Sequence, residues 1–328
     1  MISILVPGPH TTIQDVGRPG HYAMGLPPSG ALDQYAHRCA NLLVGNAESA
    51  ATLESTMAGP TLEFEEDSLV AITGADVAVT VDGGPVQTWA AHTIHAGQQL
   101  AIGPARAGAR SYLAVRGGID CPPFLGSRST YTAAGIGGLA GKRLAAGDTL
   151  QAGSETAAPP RPGAHLDSRL HGRPGNQVTV RVVPGLCNYR FTAESLEQFF
   201  TSTYTMTTRS DRIGCRLDGP RLTFVEREQP FGAGDNPSNV VDLGYPVGSV
   251  QVPNGAEPIC LLRDAVTGGG YATLGTVISA DLDLLAQARA PDTIRFEPVS
   301  VDDALVARAE YRARLRDART NLNLLSLF

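Results

Sequence analysis

The sequence is almost free of lysine. Lys142 is the single lysine of the 328-residue chain, and every other basic residue except histidine is arginine. Schiff-base chemistry and Ser-Lys amidase catalysis both need a lysine in a defined setting. Lys142 lies in a glycine-rich stretch with no S-x-x-K pattern around it. We therefore expect neither chemistry in this chain.

Paired cysteines and long apolar runs are also missing. The five cysteines lie far apart and form no C-x-x-C pair, which argues against a zinc knuckle or a disulfide framework. His92 and His95 fall on opposite faces of a strand-like segment, so no metal site is predicted. No apolar run reaches the ~18 residues of a membrane span, and the N-terminus lacks the basic region of a signal peptide. We expect a reduced, cytoplasmic, globular chain without a membrane segment.

Charge and length limit the partners and the number of domains. The 32 acidic residues exceed the 26 basic ones, so nucleic acid is not an expected partner. The length favours two domains. Residues 154–176 are rich in proline and glycine and predict a linker. The predicted domains are therefore 1–153 and 177–300, followed by a C-terminal segment, 301–328.

Most local signals are those of β-strands. Apolar residues alternate at 77–81 before Asp82-Gly83-Gly84, a hairpin signature, and again at 178–182 and 294–296. The motifs V-P-G and G-P-x-L-x-F occur once in each half, in the same order, which indicates a duplicated β-rich unit. One helix is predicted from about Ala31 to Leu43, with Ser29 as its N-terminal cap.

The last segment differs from the rest of the chain. From about Asp302 to Leu325, apolar residues repeat at three- and four-residue steps beside a face rich in arginine. This pattern predicts an amphipathic helix. Two interpretations stay open: a helix on a membrane surface, or a helix docked on its own body or on a partner subunit. The second is favoured.

The glycine-rich stretch 135–143 superficially resembles a phosphate-binding loop. Ile136 occupies the first glycine position of a Walker loop, and Arg143 replaces the Ser or Thr that would follow the lysine. The stretch is interpreted as a flexible glycine turn.

Three loops combine arginine and aspartate with glycine in apolar surroundings. They contain Asp15 with Arg18, Arg116, and Asp211 with Arg212. The planar guanidinium of arginine can donate two parallel hydrogen bonds, a fork that matches a carboxylate, carboxybiotin or phosphate. Glycine lets backbone N–H groups approach an anion closely. The alternative is that Arg–Asp pairs tie these loops to a barrel rim. Together, the three loops favour a site for an anionic small molecule.

Longer motifs carry a family resemblance. They include T-T-I-Q-D-x-G-R-x-G at residues 11–20, G-x-P-x-S-G-A-x-D at 25–33, R-G-G-I-D at 116–120 and S-D-R-x-G-x-R-L-x-G-P at 210–220. Shorter matches lie at 43–46, 125–130, 147–148 and 248–253. Over residues 1 to about 297 the chain resembles the KipA / allophanate hydrolase subunit 2 family of biotin-dependent carboxyltransferase-like proteins, which includes the C subunit of bacterial 5-oxoprolinase.

The resemblance implies a fold, a reaction and partners. The implied fold is mainly β: two cyclophilin-like β-barrel subdomains, few short helices and a C-terminal helix. The leading function is a subunit of an ATP-dependent, 5-oxoprolinase-like enzyme that opens a cyclic amide. The alternatives are a carboxyltransferase subunit of a urea carboxylase or allophanate hydrolase system, and a non-enzymatic, KipA-like antagonist. The implied partner is a KipI-like, allophanate hydrolase subunit 1-like protein in a heterotetramer. A protein like the A subunit of 5-oxoprolinase, or a carrier of carboxybiotin, would complete the system.

The resemblance also implies a set of site residues. Arg18, Arg116 and Arg212 would be hydrogen-bond donors to a developing anion, with Asp15 or Asp211 moving a proton or orienting an arginine. The implied substrate-binding residues are Gln14, Ser29, Arg216, Gln251, Asp264, Gly269, Gly270 and Tyr271.

The second half departs from the family pattern. Relatives resemble D-x-Q-T-T-G-G-Y where this chain has D-A-V-T-G-G-G-Y at residues 264–271, which places Val266 and Gly268 at altered positions. Asp242 and Leu243 replace a Ser-Glu pair, and Leu186 with Cys187 follows the second V-P-G. We expect these changes to affect the substrate more than the fold.

Overall fold

A computed structural model describes residues 1–154, 163–172 and 174–325. It confirms a mainly β protein with two barrel-like sheets, few helices and a C-terminal helix. The described residues form two compact units. The first comprises those of Met1–Arg18, Ser29–Pro174 and Arg312–Phe328, and the second those of Pro19–Pro28 and Gly175–Tyr311.

The first unit is built on a ten-stranded sheet. The strands are β1 (Ile2–Val6), β2 (His10–Gln14), β3 (Thr52–Thr56), β4 (Thr61–Phe64), β5 (Ser68–Val81), β6 (Gly84–Val86), β7 (Ala91–Ile94), β8 (Gln99–Val115), β9 (Ile119–Asp120) and β10 (Thr149–Ala152). The order in the sheet is β2, β3, β8, β4, β1, β10 and β9, and β5 pairs with β6, β7 and β8. The core of this unit is a cluster of mostly aliphatic side chains that includes Ile13, Leu53, Phe64, Ile72 and Leu113.

The predicted hairpin at Asp82 is confirmed. β5 and β6 pair antiparallel with Val81 opposite Gly84, so Asp82 and Gly83 form a two-residue turn. Both have positive φ, 48° and 80°, as this tight turn requires.

Helix α1 (Gln34–Leu43) begins later than the sequence predicts, and its cap is a different residue. The Asp33 carboxylate accepts a hydrogen bond from the backbone N–H of Ala36 at 2.8 Å, so Asp33 is the N-cap. Ser29 is buried with a φ of 51°. The prediction that Ser29 caps the helix is wrong because the residues between Ser29 and Asp33 form a separate, packed loop.

The second unit contains a closed barrel and a two-stranded ribbon. The strands are β11 (Gln177–Pro184), β12 (Thr203–Met206), β13 (Gly214–Asp218), β14 (Asn239–Gly244), β15 (Ser249–Gln251), β16 (Ile259–Leu261), β17 (Gly268–Tyr271), β18 (Thr273–Val277) and β19 (Thr293–Pro298). The barrel order is β11, β18, β15, β16, β13, β12 and β19, and the parallel pairing of β11 with β19 closes the barrel. The ribbon pairs β14 with β17.

Two short helices flank this barrel. Helix α2 (Ala193–Thr201) is capped by Thr192, whose hydroxyl accepts a hydrogen bond from Ser195 N, and helix α3 is Leu282–Gln287. Phe199 of α2 stacks on Phe296 of β19 with ring centroids 4.4 Å apart. This aromatic contact fixes the helix on the barrel.

The C-terminal helix α4 (Val301–Leu325) is confirmed, and its C-terminal part docks on the first unit. Ala318 is fully buried, and the Arg314 guanidinium lies 3.9 Å from the Tyr35 ring centroid while donating to the carbonyls of Leu170 and His171. These contacts support the docked-helix interpretation. Among the described residues, no helix is long and apolar enough to cross a membrane.

Part of the predicted linker packs as ordered structure. Leu166 is buried, its N–H donates to the carbonyl of Trp89, and the His171 ring stacks on the Trp89 indole with centroids 4.9 Å apart. Residues 155–162 and 173 of the predicted linker lie outside the described residues. The predicted domain limits remain a prediction.

Candidate functional site

The Asp15 carboxylate is the centre of a buried polar cluster in the first unit. It accepts hydrogen bonds from the Ser127 hydroxyl at 2.6 Å, the Ser129 hydroxyl, Arg128 N at 2.6 Å and Gly17 N at 2.7 Å. Four donors occupy most of the acceptor capacity of a carboxylate. Asp15 therefore holds the loop at 127–130 against the loop that follows β2.

Arg18 lies in the same cluster. Its side chain is 1% exposed and donates to the carbonyl oxygens of Ser129 and Phe124. The glycine-rich stretch packs over it, because a Cβ atom on Gly137 would lie 2.9 Å from Arg18 Nη2 and would overlap the Ser129 carbonyl. Glycine at position 137 thus permits a close packing contact with Arg18 and the Ser129 backbone. The interpretation of this stretch as a flexible turn did not predict that contact.

We expect Gly137→Ala to destabilise the first unit more than Gly135→Ala. Both glycines have positive φ, 70° and 66°, so an alanine costs about 1–2 kcal/mol of backbone strain at either position. A Cβ atom at Gly135 meets nothing within 4 Å, whereas at Gly137 it overlaps backbone. Urea denaturation followed by the fluorescence of Trp89, the single tryptophan, measures the difference. Equal losses would contradict the packing described for Gly137.

The loop that contains Ser29 joins this cluster through the backbone. Ala31 N donates to the Asp15 carbonyl at 2.8 Å, and a Cβ atom on Gly30 would lie 2.7 Å from Gly17 N. Gln14 adds a further link because its amide Nε2 donates to the Thr130 carbonyl at 3.1 Å. Hydrogen bonds and close packing therefore join four segments, around residues 14–18, 29–31, 127–130 and 137.

Sequence reasoning missed two residues that support this assembly. Glu54 and Tyr112 are buried on neighbouring strands, and the Tyr112 hydroxyl donates to the Glu54 carboxylate at 2.8 Å. Glu54 also accepts from Leu32 N, and Tyr112 accepts from Asp33 N. Burial and the nearby Glu54 charge raise the pKa of Tyr112 well above its usual value. The pair comes together only through the register of β3 and β8, in which Glu54 lies opposite Tyr112.

Arg116 contacts a different part of the first unit. It follows β8, is buried, and donates from Nη1 to the carbonyl of Val44 at 3.1 Å. The next residue, Gly117, donates its N–H to the Asn46 side chain at 2.8 Å. These contacts tie Arg116 to the C-terminal end of α1.

The other predicted site residues lie in the second unit, where Arg212 and Asp264 form a buried pair. Arg212 Nε lies 2.7 Å from one oxygen of Asp264, and Nη2 lies 3.1 Å from the other. The side chains are 8% and 4% exposed. Asp211, by contrast, is exposed and accepts from the N–H groups of Ile213 and Gly214. Asp264 is thus the carboxylate that orients Arg212.

Arg216 and Gln251 are partly exposed residues of the barrel. Arg216 Nη1 lies 3.4 Å from the Glu257 carboxylate, which also pairs with Arg209. Gln251 ends β15, opposite Ile259 on one side and Thr273 on the other.

Gly269, Gly270 and Tyr271 lie on β17 of the ribbon, above a tyrosine that sequence reasoning also missed. The Tyr245 hydroxyl accepts from Tyr271 N at 2.7 Å and donates to Tyr271 O at 2.8 Å. A Cβ atom on Gly269 would lie 2.8 Å from the Tyr245 ring. Tyr245 therefore holds this glycine strand in place.

We expect Tyr245→Phe to destabilise the protein by about 1–3 kcal/mol, because the backbone N–H and carbonyl of Tyr271 lose two partly buried hydrogen bonds while the ring remains. Tyr204→Phe is the matched control. Its hydroxyl is buried and has no hydrogen-bond partner in the described part of the chain, so its removal should cost almost nothing. Circular dichroism during urea unfolding gives both values. An equal effect of the two substitutions would contradict the role of the Tyr245 hydroxyl.

Four of the residues that depart from the family pattern lie on this ribbon or beside it. Asp242 and Leu243 are on β14, Leu243 pairs with Gly269, and Gly268 begins β17. Val266 lies two residues before β17 and is exposed. The departures are thus concentrated on one structural element.

A cavity of about 510 Å³ lies elsewhere in the first unit. Gln87, Trp89, His165, Asp167, His171 and Asn321 are among its lining residues. None of the predicted site residues lines it.

Comparison with known protein families gives a match over most of the chain. The family model described as "Carboxyltransferase domain, subdomain A and B" matches residues 24–298. The chain belongs to this carboxyltransferase domain family.

Several relatives of the chain carry the names of enzymes or enzyme subunits. The chain is 38% identical to the 5-oxoprolinase C subunit of Escherichia coli (strain K12), covering 94% of this chain and 95% of that protein. It is 36% identical to the protein of the same name from Haemophilus influenzae, covering 97% and 98%. It is also 34% identical to the "Urea amidolyase" of Lachancea kluyveri, of which it spans only 17%.

A solved structure shows the same fold. The urea amidolyase of K. lactis superposes with a TM-score of 0.91 and 32% identity, over 97% of this chain and 20% of that chain. The chain thus corresponds to one segment of the long urea amidolyases and to nearly the whole length of the 5-oxoprolinase C subunits.

Proposed function

We propose that the chain is the carboxyltransferase-domain subunit of an ATP-dependent enzyme that opens 5-oxoproline to glutamate. The observation that carries this proposal is the near-complete mutual coverage with the 5-oxoprolinase C subunits. The match extends along nearly the whole of those subunits, whereas it spans 17% of the urea amidolyase of Lachancea kluyveri.

The glycine-rich stretch 135–143 does not fit the phosphates of a nucleotide. The glycine-rich stretch lacks the Walker pattern and is packed against Arg18 and the Ser129 backbone. ATP supplies the phosphoryl group that activates the amide oxygen in such a reaction. We assign its binding to another subunit, either a KipI-like protein or one like the A subunit of 5-oxoprolinase, and expect a heterotetramer with the KipI-like partner.

This chain would contribute fixed donors and acceptors for the lactam. Opening an amide ring places negative charge on the carbonyl oxygen, and preorganised N–H donors stabilise that charge. Arg18 in the first unit and Arg212 in the second are each a candidate for such a donor, because hydrogen bonds within its own unit hold the guanidinium in place. Asp15 serves as a positioning residue, because its oxygens are occupied by the 127–130 loop and by Gly17.

A biotin-dependent carboxyltransferase is the second candidate, favoured by the family and by the superposition on urea amidolyase. The chain has no A-M-K-M attachment motif around Lys142. Carboxybiotin would therefore arrive on a carrier protein.

Co-expression with the proposed partners separates the two functions. We expect ADP and glutamate to form from 5-oxoproline, with a rate that avidin does not change. Avidin-sensitive fixation of bicarbonate onto a urea-like acceptor would instead establish the carboxyltransferase. A tight complex that is inactive in both assays would indicate a non-enzymatic, KipA-like role and would contradict both proposals.

A further inference from the structure

Arg190 is a buried cation that sequence reasoning did not select. It ends the short 3-10 turn Asn188–Arg190 in the second unit, and its side chain is 2% exposed. Its Nη2 atom donates to the side-chain oxygen of Gln229 at 2.9 Å and to the carbonyl of Pro237 at 3.1 Å.

The partners of Arg190 leave its charge uncompensated. Both acceptors are neutral, and Nε is buried without a hydrogen-bond partner in the described part of the chain. No ion pair within residues 1–154, 163–172 and 174–325 involves Arg190, whereas Arg212 in the same unit has a bidentate carboxylate. An isolated buried charge is strongly unfavourable unless a counter-charge is present. An anion would supply that counter-charge.

The position of Arg190 connects it with the ribbon. Pro237, which accepts its hydrogen bond, precedes Ser238, whose carbonyl accepts from Ala272 N at 2.7 Å. The next residue, Asn239, pairs with Tyr271. The guanidinium is therefore anchored to the segment that leads into β14, the partner strand of Gly269, Gly270 and Tyr271.

We propose that Arg190 binds the carboxylate of a small lactam acid, which makes it a substrate-binding residue. An arginine that keeps unused N–H donors can form the charge-assisted hydrogen bonds that a carboxylate accepts. This inference rests on the proposed function and narrows it. 5-Oxoproline carries such a carboxylate, whereas urea carries no charge for Arg190 to recognise.

Calorimetric titration of the full chain with three probes tests the proposal. 5-Oxoproline and 2-pyrrolidinone share the lactam ring and differ in the carboxylate, and inorganic phosphate is an unrelated oxyanion. We expect 5-oxoproline to bind about ten- to a hundredfold more tightly than 2-pyrrolidinone, the range of one charged hydrogen-bonding contact. Equal affinity for the two lactams, or no binding of 5-oxoproline, would overturn the proposal. Binding of phosphate alone would overturn the assignment to a carboxylate.

Variants locate the binding contact. Arg190→Gln should lose the preference for 5-oxoproline over 2-pyrrolidinone. Arg209→Gln, which removes an exposed arginine, should keep it. In the absence of ligand, the Arg190→Gln chain should have a melting temperature equal to or higher than that of the wild-type chain, because the substitution removes an uncompensated buried charge. A lower melting temperature with an unchanged preference would show that Arg190 only braces the 226–238 loop. If Arg190→Gln does not fold, Arg190→Lys replaces it, because a lysine keeps the charge and loses the fork. A weaker binding of 5-oxoproline by Arg190→Lys would support the proposal, and an unchanged affinity would overturn it.

This test is independent of turnover. A wild-type chain that binds 5-oxoproline through Arg190 but forms no glutamate in the reconstituted complex would contradict the proposed function and leave the binding site intact. Turnover in an Arg190→Gln complex with an unchanged KM would contradict the binding site and leave the function intact.

Discussion

Replacing Asp264 with asparagine is expected to destabilise the protein by about 3–5 kcal/mol. The substitution keeps the size of the side chain but removes the charge that faces Arg212 through two hydrogen bonds. The guanidinium would then be buried without a counter-charge. Circular dichroism during urea denaturation measures the loss.

Asp218→Asn is the matched control for this prediction. Asp218 ends β13 in the same unit and is exposed, so its replacement should change the free energy of unfolding by less than about 0.5 kcal/mol. If both substitutions gave the same small effect, the Arg212–Asp264 pair would not stabilise the barrel.

The Arg212–Asp264 pair also changes the effect that we expect Arg212→Lys to have on activity and stability. From the sequence alone, this substitution should cost activity far more than stability, since a lysine keeps the charge and loses the fork. The structure shows that two N–H groups of the fork already face Asp264. We now expect the melting temperature and the activity to fall together.

Replacing Asp15 with asparagine is expected to cost about 3–5 kcal/mol in the first unit and to abolish turnover in the reconstituted complex. The new amide N–H₂ would face some of the donors that the carboxylate now accepts, and hydrogen bonds to a charged acceptor contribute about 1.5–3 kcal/mol each. The loops at 14–18 and 127–130 would lose their common anchor. Urea denaturation followed by Trp89 fluorescence reports the loss.

Asp120→Asn provides the comparison for Asp15. Asp120 pairs with Arg128 at 3.1 Å, and both side chains are well exposed, so this ion pair contributes at most about 1 kcal/mol. An Asp15→Asn protein with the stability of Asp120→Asn would show that the cluster around Asp15 is not an anchor.

Local sequence signals predicted the local structure well. The turn at Asp82 and Gly83, the alternation that forms β11, and the C-terminal helix all depend on residues close in sequence. The predicted N-cap of α1, Ser29, was wrong because Ser and Asp are both residue types that commonly cap helices. The choice between them depends on the loop packed against Gly17.

Contacts between distant segments set the roles of the site residues, and the sequence does not reveal them. Ser127 lies 112 positions from Asp15, and Asp264 lies 52 positions from Arg212. Tyr245 and Arg190 belong to no motif. Only the structure shows that Tyr245 holds the Tyr271 backbone and that Arg190 is buried with no carboxylate partner among the described residues. The motifs therefore identified the loops that carry the site residues. The structure shows which of these residues are held in place and which partners hold them.

The most direct test of the proposed function is the release of ADP that depends on 5-oxoproline, measured with the two proposed partner subunits in the presence and absence of this chain. We predict that ADP and glutamate form in equal amounts when the chain is present, and that glutamate formation stops when it is omitted. The Asp15→Asn chain should fail to restore the reaction, whereas the Asp120→Asn chain should restore it. Glutamate formed at the same rate without this chain would contradict the assignment of the chain to the enzyme complex.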